Sequence, residues 1–423
     1  MLRSVIMFSA LFAMASATLA AQTKTTPSVS PLPEVSSVTA QAKAMYAAIL
    51  HNAVDRTHLS PTLNDAMAPS VVTTIAAQLN AIGTPDWEYV GGVSTANGPI
   101  YVYHLTYPGG AALYFNFGAS PNSTIFALSI TAGRPPGIPA PPPTPDALNA
   151  TLSNLRSLPG SVSFLVIANG HALESYHADD ALAVGSTFKL AVLNALLGEV
   201  KHGHRHWADV VYLKPSWKSL PSGVYQTWPD GTALTVQTLA TEMISVSDNT
   251  AADALADIVG ERAIAPFAGR NEPFLTTRDV FILKSSEGTD LRQRYIRGRV
   301  GQRRDILDRV ARMPLPSLSN LDTDPGLATI EWHYTNRDLC RLMSTVQGLA
   351  LMSINPGGIN TSDWKRVAFK GGSDWGVVSI TTWLVSNNGT TYCVSATEND
   401  TTAPVSELRF AQLYDALVSQ LPH

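Results

Sequence analysis

The reading turns on one stretch, Gly185-Ser186-Thr187-Phe188-Lys189. It lies between two apolar runs, Ala181-Leu182-Ala183-Val184 and Leu190-Ala191-Val192-Leu193-Asn194-Ala195-Leu196-Leu197. A Ser and a Lys three apart at a helix start share one face. The helix N-terminus adds unpaired backbone N–H groups and positive potential. That setting suits a serine nucleophile whose neighbouring amine takes its proton. The chain holds a second such string, Ser362-Asp363-Trp364-Lys365, which opens no apolar helix. The residues downstream of Ser186 choose between the two.

At 423 residues the chain is long for one average domain, so two are expected. Hydrophobic residues make up 45% and charged residues 15%, which fits a packed core and not a disordered chain. A net charge of −4 gives the surface as a whole no pull on nucleic acid or acidic lipid. Arg3 followed by the mostly apolar Val5 to Leu19, with small residues to Ala21, reads as a signal peptide over 1–20. The run is short for a membrane span, so no stable span is expected after cleavage. The expected location is the periplasm or the exterior. The two cysteines, Cys340 and Cys393, allow a disulfide in that setting or two buried thiols. They are too few for a cysteine metal site, and no cofactor or metal is expected.

Val35 to Asp55 carries a helical stripe, Val38, Ala42, Met45, Tyr46, Ile49 and Leu50, and a second helix is expected over Ala68 to Leu79. Segments 87–90, 100–105, 112–117 and 125–130 then read as strands separated by turns rich in Gly, Asn and Pro. This predicts a small α+β domain over 34–133 with an antiparallel meander. Its pattern resembles the cone-shaped nuclear-transport-factor (NTF2) and steroid-isomerase-like domains, with no motif behind the likeness. Seven prolines between Arg134 and Pro145 predict an extended linker over 134–146.

The second domain, 147–423, opens with a helix over Ala147 to Ser157 and a hairpin, 162–167 and 171–176, turning at Asn169-Gly170. Its middle is mostly helical. Strands follow at 367–370, 377–384 and 391–397, and a last helix over Ser406 to Ser419. One sheet built from both ends of the domain is expected. Two further clusters punctuate it. Ser247-Asp248-Asn249 falls 61 residues after Ser186, between two helical stretches, and Lys370-Gly371-Gly372-Ser373 ends a strand 123 residues later. By itself the Ser-Asp-Asn string would be a helix-capping turn.

Ser-x-x-Lys, Ser-Asp-Asn and Lys-Gly-Gly in this order resemble the motif set of class A β-lactamases and penicillin-binding proteins, whose third element is Lys-Thr-Gly. The resemblance covers 147–420 and is strongest from Lys218 to Gly223 and from Met243 to Asp253. It implies a class A β-lactamase-like fold, a mixed antiparallel sheet with a helical layer, and an acyl-enzyme on Ser186. Lys189 would be the base if neutral, which burial and the nearby cation Lys370 favour. Ser247 would pass a proton to the leaving nitrogen, and Lys370 would also attract a substrate carboxylate. Asn249 would hold Lys189 or a substrate amide. Backbone N–H groups of Ser186 and Ser373 would cradle the oxyanion. Gly371 and Gly372 would let the strand approach the substrate. The implied partner is a small molecule, a β-lactam or a related ester or amide, and not nucleic acid.

The chain also departs from that family. Class A enzymes free the acyl-enzyme with a glutamate in a Glu-x-x-Leu-Asn loop, and this string is absent. If Asn320 matches the loop asparagine, Pro316 stands at the glutamate position and cannot activate water. Glu331 and Glu287 are the substitutes to consider beside a structural reading of each. Gly371 replaces a hydroxyl residue that binds substrate carboxylate, and Ser373 is the residue that could compensate. Both changes predict slow deacylation, or a penicillin- or cell-wall-fragment-binding sensor without turnover, or a D-Ala-D-Ala carboxypeptidase or esterase. The eight arginines of Asp290 to Met313, interleaved with Asp290, Asp305 and Asp308, read as a solvated helix face. His202-Gly203-His204-Arg205-His206 reads as a surface loop. The layout, an isomerase-like domain before a Lys-Gly-Gly hydrolase domain, also resembles β-lactamase-like proteins of the clavulanic-acid-pathway type.

Overall fold

The computed structural model describes residues 32–107, 112–120, 123–131, 133–135, 138, 145–324 and 328–422. The expected signal peptide over 1–20 and most of the proline-rich stretch lie outside these residues. The described residues fall into two compact units, one within 1–142 together with 358–362, the other within 143–357 and 363–423.

The first unit opens with helices α1 (Ser36–Leu50), α2 (Pro61–Ala66) and α3 (Pro69–Ile82). The short α2 carries no periodic signal; Ser60 caps it, its Oγ accepting from Leu63 N at 3.3 Å. Strands β1 (Asp86–Thr95), β2 (Gly98–Thr106), β3 (Ala112–Ala119) and β4 (Ile125–Thr131) form an antiparallel sheet in sequence order. The helix stripe Ala42, Met45, Tyr46 and Ile49 is buried. Tyr46 meets Trp87 and Phe115 edge to face, at 5.4 and 5.7 Å between centroids. This unit is α+β, a meander beside helices, as its alternating sequence pattern predicts.

The second unit begins with α4 (Pro145–Arg156), then β5 (Ser161–Ala168), β6 (His171–Tyr176) and the short β7 (Leu182–Ala183). A 3-10 turn, Gly185–Phe188, leads into α5 (Lys189–Lys201). Next come β8 (Val210–Tyr212), β9 (Ala233–Thr235), α6 (Val236–Ser245), α7 (Asn249–Val259), α8 (Glu261–Ile264), α9 (Thr277–Leu283), α10 (Thr289–Arg297) and α11 (Val300–Val310). β10 (His333–Tyr334), α12 (Asn336–Val346), β11 (Arg366–Asp374), β12 (Val377–Val385), β13 (Thr391–Asn399) and α13 (Glu407–Ser419) complete it. The main sheet is antiparallel, in the order β11-β12-β13-β5-β6. Strands from both ends of the domain therefore pair, as the sequence predicts.

Strand alternation assigns the two faces of this sheet. Ser395 and Thr397 donate to Asn336 of α12 on one face. Thr382 and Val394 meet the Tyr414 hydroxyl of α13 on the other. Lys370 pairs with Thr381, which pairs with Ser395, so Lys370 points to the α12 side. α5 lies on that side too, and Leu190 to Leu197 are buried all round it, as a helix without a polar face must be. Of the two options for the cysteines, the structure forms the disulfide: Cys340 of α12 bonds Cys393 of β13, with Cα atoms 5.8 Å apart. It closes a loop across a separation of 53 residues, worth about 4 kcal/mol on the loop-entropy scale.

The arginine-rich stretch forms α10 and α11. Arg304 pairs with Glu261 at 2.5 Å, while Arg292 is buried against the Leu283 carbonyl and Asp322, so that part of the stretch is structural and not solvated. Residues 202–206 are exposed; His204 sits 3.2 Å from Glu199 and His206 3.5 Å from Asp209. Among the described residues no helix is long and apolar enough to cross a membrane.

Candidate active site

Ser186 is positioned by what clamps the residues before it. Asn399 takes the Ala183 N–H at 2.8 Å and donates to the Ala183 carbonyl at 2.9 Å. Val184 N donates to Trp332 O at 3.0 Å, extending the β7–β10 pairing. Trp332 stacks on Phe188, 3.6 Å between ring centroids, and so holds the turn from the other side. None of these partners carries a sequence signal, because each acts across at least 140 residues of chain.

Gly185 and Gly372 let two backbones touch. Gly185 has a φ of 49°, and a Cβ there would lie 2.8 Å from Ser373 N. A Cβ on Gly372 would lie 2.5 Å from both Ser186 N and Thr187 N. Only glycine fits at either position, and the Ser186 and Ser373 N–H groups come from these two abutting segments. Gly371 lies one residue earlier on the strand, its carbonyl accepting from Lys370 Nζ at 2.6 Å.

Lys189 is fully buried and has four neighbours. Its Nζ lies 2.6 Å from Ser247 O, 2.6 Å from Asn249 Oδ1, and 3.1 Å from both Ser186 Oγ and Ser247 Oγ. The two shortest partners are carbonyl oxygens, which can only accept. They use two N–H bonds, the full complement of a neutral amine, and leave its lone pair for the hydroxyl hydrogen of Ser186. Asn249 is fixed in this orientation because its Nδ2 donates to Leu220 O at 3.0 Å. Burial drives the Lys189 amine well below its ordinary pKa, and the Lys370 charge pushes the same way against a weaker pull from Asp248 and Asp253. Lys370 is also buried, donates to Ser247 Oγ at 3.0 Å, and is brought down by burial to about 7.

The Ser247-Asp248-Asn249 turn both caps and presents. Asp248 caps α7 by accepting from Ala251 N at 2.8 Å, and its other oxygen takes the N–H groups of Val224 and Tyr225. Ser247 has a φ of 61°, a left-handed backbone costing about 1–3 kcal/mol in a non-glycine residue. The Ser222 hydroxyl, donating to Ser247 O at 2.7 Å, helps to hold it there. The result is a floor of two buried amines below the partly exposed Ser186 and Ser247 and the exposed Ser373.

The structure thus gathers Ser186, Lys189, Ser247, Asn249, Lys370, Gly371, Gly372 and Ser373. It does not gather the second Ser-x-x-Lys string: Ser362 is exposed and donates to Asn360 at 2.7 Å. Among the described residues no carboxylate hydrogen-bonds Ser186 or Lys189. Glu287 is exposed and accepts from Asn320 at 2.5 Å. Glu331 is buried and accepts from Lys284 at 2.6 Å. Lys284 and Asn399 are polar residues around the site that sequence reasoning misses, and Ser222 lies in the Lys218 to Gly223 stretch of the resemblance with no role assigned to it there.

Fold and site together define a serine β-lactamase-like domain. Residues 146–282, from α4 to α9, match the model of the beta-lactamase enzyme family; the match includes Ser186, Lys189, Ser247 and Asn249 and stops short of Lys370. No curated protein matches the chain by sequence. Among solved structures it is similar to a beta-lactamase from Sphaerobacter thermophilus, at 21% identity over 65% of this chain and 95% of that one, with a TM-score of 0.46. It is also similar to a class A beta-lactamase representative from Bacteroides cellulosilyticus, at 15% identity over 66% and 97%, TM-score 0.46. A third is PBP-A, at 16% identity over 67% and 100%, TM-score 0.41.

Proposed function

We propose that this protein is an exported serine hydrolase that forms an acyl-enzyme on Ser186 with β-lactams or related amides and esters, and releases it slowly. The observation that carries the reading is the hydrogen-bond pattern of Lys189. An amine whose two N–H bonds are taken by carbonyl oxygens, 3.1 Å from a serine hydroxyl, is set to accept a proton. Ser186 Oγ attacks the carbonyl as its proton passes to Lys189. The oxyanion falls between the N–H groups of Ser186 and Ser373. Ser247, hydrogen-bonded to both lysines, hands its proton to the leaving nitrogen and takes in its place the one that Lys189 received from Ser186.

Slow release follows from the surroundings of Lys189. Activating a water for deacylation needs a base free of the acyl group, and none of the amine's partners is a carboxylate. That observation also favours a second reading, a sensor that acylates without turnover. Intact-mass measurement after mixing with a penicillin decides between them. The expected result is a covalent adduct that persists for many minutes and is absent in Ser186→Ala. Sustained fast turnover would refute slow release, and no labelling by β-lactams or activated esters would refute the acyl-enzyme itself.

A further inference from the structure

Strand β11 carries Lys370, Gly372 and Ser373 and ends at Asp374. Beyond the site it enters a second buried polar group. Lys284, the residue after α9, donates to Glu331 Oε1 at 2.6 Å and to Asp374 Oδ2 at 2.5 Å. The Lys284 and Glu331 side chains are 7% and 2% exposed, and Asp374 is 26% exposed. One ammonium, that of Lys284, thus faces two carboxyl groups in a largely buried setting. Two ionised carboxylates would leave one buried negative charge uncompensated, and a proton on one of them removes it. Glu331 Oε2, buried and without a donor among the described residues, is the atom to carry it.

We propose that Lys284, Glu331 and Asp374 form a positioning group for the oxyanion site: Lys284, bonded to both carboxyls while one of them holds a proton, fixes the end of β11 that presents the Ser373 N–H. The proposal rests on the reading of Ser186 as the nucleophile. Its geometry links three segments far apart in sequence, the end of α9, the residue before Trp332, and the residue after Ser373. Trp332 in turn stacks on Phe188 inside the nucleophile's own turn. Glu331 and Asp374 thus brace both sides of the gap between Ser186 and Ser373.

The charges around the group favour keeping the proton on Glu331. Burial raises Glu331 to about 8, with Asp374 adding to the rise and Lys284 opposing it. Burial would raise Asp374 too, but the Lys284 charge and its hydrogen bonds hold it below the ordinary value. Glu407, in the first turn of α13, is raised by burial and by the negative charge of Asp374, against a lowering by the Ser373 hydroxyl. His333, beside Glu331, is lowered by burial, and the Lys284 charge adds to this against the raising effect of its bond to the Glu331 carbonyl. Arg270, Glu272 and Arg303 line the cavity of about 200 Å³ next to Glu331. Arg292 and Asp322, whose N–H bonds Lys284 O, are paired with each other.

The linkage has a definite sign. A carboxyl raised on folding contributes stability below its unfolded pKa, near 4.5, and loses that contribution as pH rises through about 8. Glu331→Gln supplies a permanent neutral stand-in. Two measurements on the full chain test the group. In the first, the acylation rate with a penicillin is followed from pH 6 to pH 9. The rate of Glu331→Gln relative to the unsubstituted protein should be flat to pH 7 and then rise several-fold by pH 9. Lys284→Met should acylate at least tenfold more slowly throughout. In the second, amide hydrogen exchange over 371–375 should match between the two proteins at pH 6, and be faster in the unsubstituted protein at pH 9. This readout needs no acylation, so it separates failure of the positioning group from failure of the Ser186 reading. Identical exchange at both pH values, or parallel acylation profiles, would overturn the proposal. So would a folded Lys284→Met that acylates at full rate.

Discussion

Lys189 and Lys284 are both buried lysines of one unit, and their surroundings are opposite. Lys284 meets two carboxyls, at 2.5 and 2.6 Å. Burial alone would lower its pKa, but those partners outweigh burial and hold it above the ordinary lysine value, so it is an ion that ties segments together. Lys189 hydrogen-bonds carbonyls and hydroxyls only, with a second buried amine close by, and the weaker pull of Asp248 and Asp253 does not repay the cost of charging it. The difference shows that what a buried lysine does is set by its neighbours' charge and not by its burial. One neighbour set makes a fastener and the other makes a base.

The largest effect is expected from removing the base. Lys189→Met keeps the volume of the side chain and abolishes the proton acceptor. Acylation of Ser186 should slow by on the order of 10²–10⁴-fold, read from the time course of the intact-mass adduct. An unchanged rate would mean that another group takes the proton, and the comparison would lose its functional half.

A smaller change should turn one lysine into the other. Asn249→Asp places a carboxylate oxygen where the amide oxygen lies 2.6 Å from Lys189. The new charge raises the pKa of Lys189 and protonates the base at neutral pH. For every pH unit by which that pKa climbs, the neutral amine becomes about tenfold scarcer. Acylation at pH 7 should fall at least about tenfold and recover as pH rises. A rate that is low at every pH would instead report a damaged substrate contact.

The sequence and the structure divide along the same line. The Lys189 site is legible because its parts are short strings in fixed order: Ser186 and Lys189 one helical turn apart, Ser247 and Asn249 flanking a helix cap, Lys370 before two glycines. Each string also follows a local rule of helix or strand, so its secondary structure can be placed. The Lys284 group is not legible. Lys284 follows an ordinary apolar stretch, Val280 to Leu283, and its two partners lie 47 and 90 residues away. Glu331 stands out in the sequence only as a replacement for a missing glutamate, a role its hydrogen bonds do not give it. Asn399, which clamps Ala183 ahead of the nucleophile, is hidden for the same reason. Side chains that act across the tertiary fold leave no period and no spacing. The cysteines fall between the cases: their helix and strand are legible, and only the packing of α12 on β13 brings them together.

The smallest effect tests the comparison from the acidic side. Asp253 is a buried carboxyl that, among the described residues, hydrogen-bonds no cationic side chain. It accepts the N–H groups of Thr277 at 2.7 Å and Arg278 at 2.9 Å, at the start of α9. The Arg278 guanidinium is taken up by the Lys218 and Met313 carbonyls. Burial raises Asp253 to about 7, against the lowering by those backbone bonds. By the argument applied to Lys189, a buried acid without an opposite charge should hold its proton. The folded state then binds that proton more tightly than the unfolded chain does, between about pH 4 and pH 7. Stability from this group is present below pH 4 and is lost as pH rises through 7, by at most about 1.4 kcal/mol per pH unit. Asp253→Asn removes the titration while keeping one acceptor for the α9 amides. Urea midpoints at pH 5 and pH 8 should show the unsubstituted protein losing ground to Asp253→Asn across that interval. A difference independent of pH would mean that two backbone N–H groups suffice to keep a buried carboxylate charged. In that case the neutrality of Lys189 would have to come from Lys370 and not from burial.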